Sequence, residues 1–311
     1  RYEFETLPEA PAAATVTIYG WDWSTITSQG GANYLYDIIS GFEAMCATAE
    51  NTSFLLLKLA HQDAGQVQII RQDVQFNPLV MGSPSRSPKS LLQRYKIDQT
   101  SSTLIPLNGH PYIPQPTSQK QMDWWQAVTF FGAGGPGPYY FKNKSAYLNT
   151  GFTKSDAEKI YFHLTRKMEM KMSDALLQVD SYGGRISDVA RNATAAWHRG
   201  PRFTLQYQTY WSNNKGGTPL NLTEAINLKW IREFYTDMYA HLGGIPDQDK
   251  DKTGQWDGAY ISYPDVDLNN HGLLTALRLY YGTNLPRLIK TKAYWDPNNY
   301  FQHQQSIPVN S

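Results

Sequence analysis

The chain has 311 residues, 41% of them hydrophobic and 18% charged, with a formal net charge of +1. That length implies one large domain plus an appendage, and a near-neutral balance leaves no basic excess to neutralise a nucleic-acid backbone. No run approaches the roughly 18 apolar residues of a membrane span, and the single cysteine, Cys46, excludes an internal disulfide or a cysteine-rich metal site.

The sequence opens on Arg1-Tyr-Glu-Phe-Glu, without an initiator Met or a signal peptide, and reads as the interior of a longer protein. Thr15–Tyr19 alternates as a strand with one buried face. Gly41–Cys46 belongs to an amphipathic helix in which Cys46 is a buried, inert thiol. Phe54–Lys58 and Gln66–Ile70 are two further strands, joined by a hairpin turn at Asp63-Ala-Gly65. Residues 78–120, rich in Pro, Ser and Gln, read as a long surface excursion with one short helix near Leu91.

Helical spacing is clearest in the second half. Ile160, Leu164 and Met168 share a face of a helix over Ser155–Met168. A second helix over Ala225–Leu242 gathers Leu228, Ile231, Phe234, Tyr235 and Met238, and stops at Gly243-Gly244. Strands return at Ala175–Val179, Phe203–Trp211 and Ala259–Tyr263. Strand groups interrupted by long helices, without regular alternation, predict an α+β fold: a large antiparallel sheet covered by helices on one face. Four sequons, at Asn51, Asn143, Asn192 and Asn221, give weak support to a secreted or extracytoplasmic glycoprotein. Asn221-Leu-Thr-Glu224 reads equally as a helix N-cap with its reciprocal Glu.

Several signals of chemistry have plainer readings. Gly132-Ala-Gly134-Gly-Pro-Gly137 matches a dinucleotide-binding pattern, but Pro136 and Pro138 forbid the helix that would hold a pyrophosphate, so a loop is expected. The seven histidines are scattered and none pairs at metal-ligand spacing with a carboxylate, so no metal site is expected. Asp265-Val-Asp267 is read as the cap of a helix starting near Asn269 rather than as a metal-binding or glycosidase pair.

The tail is more specific. Tyr280-Tyr-Gly-Thr-Asn284-Leu-Pro-Arg287-Leu, then Lys292, Asp296-Pro-Asn-Asn299-Tyr-Phe301 and Gln305-Ser-Ile-Pro308 form a combination that resembles the C-terminal segment of berberine-bridge-enzyme-like flavoproteins of the vanillyl-alcohol-oxidase fold. Gly258-Ala-Tyr260-Ile-Ser-Tyr263 resembles the family's Tyr-Xaa-Asn-Tyr element, with Ser262 where relatives commonly carry Asn. Asp174–Gly184, Leu205–Trp211 and Asn227–Tyr235 resemble the hexose-oxidase branch in particular. The likeness is strong from about residue 139 onward and faint before it.

The resemblance implies an FAD-dependent carbohydrate oxidase that takes the anomeric carbon of a reducing mono- or disaccharide to its lactone, with molecular oxygen as acceptor and hydrogen peroxide as product. It implies that residues 1–255 are a substrate-binding domain, and that 256–311 return to complete an FAD-binding domain. The N-terminal FAD-binding part, with the His and Cys of covalent flavin attachment, would precede this chain and be its partner. By the same resemblance Tyr263 is the general base and Asp180 its paired carboxylate. Tyr260, Gln178 and Gln208 contact the sugar, and Tyr263, Asn299 and Phe301 border the flavin. Gln206 and Gln208 share one strand face by the period of two, and amides suit vicinal hydroxyls, whereas solvent exposure is their plainer reading. Tyr260 and Tyr263 would point to opposite faces of an extended segment, so their joint use needs a turn between them. Two other readings stand: an alkaloid or phenolic-alcohol oxidase of the same superfamily, against which the glutamines argue, and a flavin-free carbohydrate-binding module, against which the flavin-contacting tail argues.

Overall fold

The computed structural model describes residues 10–75, 105–107, 110–113, 116–132, 139–212 and 219–310. In chain order the elements are β1 (Ala13–Trp21), α1 (Trp23–Ser28), α2 (Ala32–Thr48), β2 (Ser53–Ala60), β3 (Val67–Gln75), β4 (Ile105–Leu107), β5 (His110–Ile113) and β6 (Ser118–Asp123). There follow α3 (Trp124–Gly132), β7 (Tyr140–Leu148), α4 (Lys154–Thr165), β8 (Ala175–Ser181), β9 (Phe203–Trp211), α5 (Leu220–Met238), α6 (Leu273–Tyr281) and α7 (Leu285–Trp295). Seven strands make one antiparallel sheet in the order β6-β1-β3-β2-β8-β9-β7. The fold is α+β, as the strand and helix grouping predicts.

The two faces of the sheet separate by residue parity, because successive strand side chains point to opposite sides. Leu55, Leu57 and Leu59 of β2, Leu177 and Val179 of β8, and Leu205 and Tyr207 of β9 all enter one large core with Phe42 of α2, Ile160 of α4 and Trp230 of α5. Each such fully buried side chain contributes roughly 1.5–3 kcal/mol. Trp256, Ala259, Leu277, Tyr280 and Ile289 join the same core, so residues on both sides of position 256 pack together. The even-numbered residues of β2, β8 and β9 form the opposite face. There Leu56, Ile70 and Val16 make a small apolar cluster, and the stretch beside it is polar.

Local rules place most boundaries. Thr153 and Asp156 form a reciprocal capping box that starts α4. After α5 a single 3-10 turn, Ala240–Leu242, leads to Gly243 and Gly244 at φ 91° and 90°, conformations that exclude most side chains. Three expectations need correction. The helix near Asn221 starts two residues earlier than an Asn221 cap would set it, with Pro219 at its N-cap, so Asn221 lies inside the first turn and caps nothing. Residues 118–123 form an edge strand on β1 although their sequence is almost wholly polar. Their side chains are largely exposed, so no burial imposes an apolar alternation. Ala259–Tyr263 is not a strand: one isolated bridge joins Trp256 to Leu148, and the chain then turns. The expected helix near Leu91 and residues 133–137 of the glycine-rich stretch lie outside the described residues.

Candidate functional site

The turn between the two tyrosines is built on the free edge of β7. Tyr147 N donates to Gly258 O at 2.9 Å and Asp257 N to Tyr147 O at 3.0 Å, while Tyr260 N reaches Ser145 Oγ at 2.9 Å. Gly258 is required here: a Cβ would stand 2.2 Å from the Leu279 carbonyl oxygen, and its φ of +81° is strained for other residues. The chain then reverses, Tyr263 N donating to Tyr260 O at 3.1 Å. The reversal brings the two rings edge to face at 5.1 Å, where an extended strand would have parted them. Tyr147 packs edge-on against Tyr260 at 6.0 Å and Tyr182 at 5.2 Å, completing an aromatic wall.

This wall closes one side of a cleft of about 430 Å³ whose lining includes Gln178, Asp180, Tyr260 and Tyr263. The polar side is supplied by β8 and β9. Gln178 Nε2 donates to Asp180 Oδ1 at 3.0 Å and Oδ2 at 3.2 Å, Gln208 Nε2 donates to Gln178 Oε1 at 3.2 Å, and Tyr210 donates to Gln208 Oε1 at 2.8 Å. Gln206 lies on the same face, opposite Gln178 in register. Gln206 and Gln208 are 9% and 7% exposed, which removes the plainer reading of solvent-facing amides.

Burial pushes the Asp180 carboxyl up to about 6, against the lowering effect of the Gln178 bond. Tyr263 is also raised, first by burial and then by the Asp180 charge and the phenols of Tyr260 and Tyr210. Asp180 is therefore the group of this site poised near neutrality, and its charge opposes formation of a Tyr263 phenolate.

Behind the turn, charges and tail residues fix its position. Asp265 receives Lys142 Nζ at 2.5 Å and Lys144 Nζ at 2.6 Å, and Asp267 pairs with Lys144 at 2.9 Å and Arg232 at 2.9 Å. Asp265 Oδ1 also accepts from Asp267 N, so the expected cap exists, on a 3-10 segment Val266–His271. Gln305 Nε2 donates to Asp265 O at 2.9 Å, and Asn269 Nδ2 to Gln304 O at 3.0 Å, stitching the tail to the segment that carries Tyr263.

The other tail motifs are structural clamps. Asn284 Nδ2 donates to the carbonyls of Arg191 at 2.7 Å and Thr194 at 3.0 Å, and Arg287 Nη1 to that of Asn192 at 3.1 Å. Asp296 accepts from Tyr300 N at 2.8 Å, Phe301 N at 3.0 Å and Lys292 Nζ, which together shape the turn bearing Asn299 and Phe301.

The structure thus gathers Gln178, Asp180, Tyr260 and Tyr263 around one cleft, with Gln208 bonded to Gln178 beside it, whereas Asn299 and Phe301 sit apart on the tail. Tyr147, Tyr182 and Tyr210 are additional site residues. Tyr210 was accessible to the period of two that relates it to Gln208. Tyr182 stands in the same relation to Asp180, whereas nothing in the local sequence marks Tyr147, whose position follows from the β7–β9 register. Cys46 lies in α2, its thiol pushed up to about 12 chiefly by burial, consistent with an inert side chain. No group of three or more His, Cys, Asp or Glu side chains suited to a metal occurs among the described residues. None of the described helices is long and apolar enough to cross a membrane.

Residues 259–308 match the family model "Berberine and berberine like". The chain is 46% identical to hexose oxidase of Chondrus crispus over 179 residues, 55% of this chain and 32% of that protein. It is 28% identical to aclacinomycin-N/aclacinomycin-A oxidase of Streptomyces galilaeus over 310 residues, 97% of this chain and 51% of that one. Among solved structures, a glycopeptide hexose oxidase complexed with teicoplanin superposes with a TM-score of 0.72 at 27% identity, covering 97% of this chain and 56% of its own. The chain therefore spans about half the length, or less, of these relatives.

Proposed function

We propose that this chain, which belongs to the berberine-bridge-enzyme-like family of flavoproteins, is the substrate-binding part of an FAD-dependent carbohydrate oxidase. It takes a reducing mono- or disaccharide to its lactone and delivers the electrons to molecular oxygen, giving hydrogen peroxide. The observation that carries this reading is the row Gln208–Gln178–Asp180 running into a cleft walled by Tyr260 and Tyr263. Amides that donate and accept, a carboxylate that accepts, and aromatic rings are the set that recognises a polyhydroxylated ring; an alkaloid pocket has little use for the amides.

The tail fits a flavin on its own side chains. Tyr300 and Phe301 are 81% and 74% exposed, and the buried Asn299 Oδ1 has no partner among the described residues. Tyr263, Asn299 and Phe301 would border the bound group, and its covalent attachment is assigned to a preceding part of the protein, since Cys46 is half-buried in α2 with its thiol pushed up to about 12. A bound flavin supplies the acceptor for the hydride that leaves the anomeric carbon. This chain's residues manage the proton: Tyr263 meets the anomeric hydroxyl, and the proton released as its O–H bond breaks passes to the Tyr263–Asp180 pair. An Asp180 carboxyl near 6 is mostly ionised at neutral pH and able to take that proton, which a lone phenol near ~10 does poorly. Gln178, Gln208 and Tyr260 hold the ring in register with the acceptor.

The test is anaerobic mixing of the purified flavoprotein with glucose and with cellobiose. Loss of the visible flavin absorbance supports the reading. Bleaching by a benzylic alcohol and not by either sugar would replace it with the phenolic-alcohol reading, and a whole protein, its preceding flavin-binding part included, that purifies without flavin would favour a binding module.

A further inference from the structure

The hydrogen bonds beside the cleft all run in one direction, from Tyr210 through Gln208 and Gln178 to Asp180. An amide offers an acceptor at one end and donors at the other, so reversing Gln178 alone sets like against like at both its neighbours, and reversing Gln208 alone does so at Gln178. The row therefore has two complete arrangements. When Asp180 is ionised it accepts only; both glutamines must turn their nitrogens toward it, and Tyr210 must donate. When Asp180 is protonated, its carbonyl oxygen can still accept from Gln178, or its hydroxyl can donate to Gln178 Oε1, in which case both amides reverse and Tyr210 must accept. A phenol is a strong donor and a weak acceptor, so the two ends of the row are coupled and the first arrangement is the better one at Tyr210.

We propose that Tyr210 is a positioning residue that locks Gln208 and Gln178 with their nitrogens toward Asp180 and so favours the ionised carboxylate from two amides away. Resting on the sugar-oxidase reading, the consequence is a site with fixed polarity. The amides keep N–H groups for hydroxyl oxygens, and Asp180 remains the acceptor for hydroxyl hydrogens. The other titratable or charged groups around Asp180 are Tyr260 and Tyr263 from the turn, Tyr147 from β7, Tyr182 just beyond β8, and Lys58 on β2, across from Gln178. His198 stacks behind Tyr147 at 4.1 Å and pairs with Asp257. Burial raises the Asp180 carboxyl, and Gln178 supplies the bond that lowers it. That bond's orientation is what Tyr210 maintains.

The experiment is a carboxyl NMR titration of the intact protein carrying carboxyl-labelled aspartate, with the Asp180 resonance identified by its loss in Asp180→Asn. Tyr210→Phe should raise the Asp180 pKa by about half a unit to one unit, the worth of one ordinary hydrogen bond passed along the row. Gln208→Met, which cuts the row, should raise it similarly and should nearly abolish any further effect of Tyr210→Phe. The side-chain amide resonances of Gln208, which reaches Asp180 only through Gln178, should respond to the Asp180 titration in the wild type. An Asp180 titration unchanged by Tyr210→Phe would overturn the proposal, as would a shift that persists undiminished in the Gln208→Met background. Should Tyr210→Phe fold poorly, Gln208→Met alone decides: a rise supports the row and no rise refutes it. None of these readouts needs sugar or turnover, so failure of sugar oxidation would remove the functional reading and leave the row standing, and the reverse holds equally.

Discussion

The ion cluster beneath the tyrosine turn makes an asymmetric prediction. Three cations, Lys142, Lys144 and Arg232, meet two carboxylates, Asp265 and Asp267. The side chains of Asp265 and Lys144 are 2% and 4% exposed, whereas Arg232 is half in solvent and counts for less. Lys144→Met leaves two cations on two carboxylates, a balanced set in which Lys142 still holds Asp265. Asp265→Asn leaves three cations on one carboxylate, with the buried Lys144 held by Asp267 alone. Breaking a buried pair by removing one partner costs ~3–5 kcal/mol, so Asp265→Asn should fall in that range and Lys144→Met about half as much. Asparagine preserves shape, and the backbone contacts of residue 265 to Tyr280 Oη and Gln305 remain available. Urea unfolding of both variants measures the difference, and equal m-values would show that only native stability has changed. A Lys144→Met variant destabilised as much as Asp265→Asn would refute the charge count.

Three further outcomes follow from single contacts. Burial pushes the Glu43 carboxyl up to about 7 although Phe152 N donates to it at 2.7 Å. A folded-state pKa above the unfolded one means that stability is fully present below ~4.5 and lost as pH rises through about 7. Glu43→Gln, which keeps an acceptor for Phe152, should therefore stabilise the fold by roughly 1–3 kcal/mol at pH ~8 and by little at pH ~4.5, read from unfolding curves at both pH values. Gly282 sits at φ +51° with a built Cβ 2.3 Å from the Trp197 ring, so Gly282→Ala should cost ~2–4 kcal/mol and loosen the loop held by Asn284; an unchanged denaturation midpoint would contradict this. Gln208→Ala should raise the KM for glucose about ten- to a hundredfold by removing one partner of a buried hydroxyl. An equal rise for a sugar lacking that hydroxyl would show that Gln208 does not touch it.

Periodicity carried most of the fold because most elements bury one face: β9 runs over Phe203–Trp211 as read, whereas α5 stops at Met238 and Gly243 caps the 3-10 turn that follows it. It failed where burial was absent, at the polar edge strand β6, and where backbone chemistry overrode a side-chain signal, as Pro219 displaces Asn221 from the cap. Gln206 and Gln208 were legible as same-face residues of one strand, but the joining of Gln208 with Gln178 and Asp180 into one row depends on the β8–β9 register. The turn that unites Tyr260 with Tyr263 depends on contacts to Ser145 and Tyr147, more than a hundred residues away in sequence, which no local pattern encodes. The tail motif was readable as a motif, whereas its physical meaning, a set of clamps on the 191–197 loop and the 296–301 turn, emerges only from packing.

The central claim is that Tyr263, with Asp180 beside it, takes the proton of the anomeric hydroxyl. Stopped-flow anaerobic reduction of the flavoprotein by glucose tests it most directly, comparing wild type with Tyr263→Phe and using Tyr260→Phe as the internal control. Phenylalanine keeps the ring that packs 5.1 Å from Tyr260 and removes only the hydroxyl. Reduction should slow by about 100- to 10,000-fold in Tyr263→Phe with sugar affinity little changed, while Tyr260→Phe weakens binding more than it slows the step. A Tyr263→Phe protein that is reduced at nearly the wild-type rate, with the loss appearing in Tyr260→Phe instead, would contradict the account.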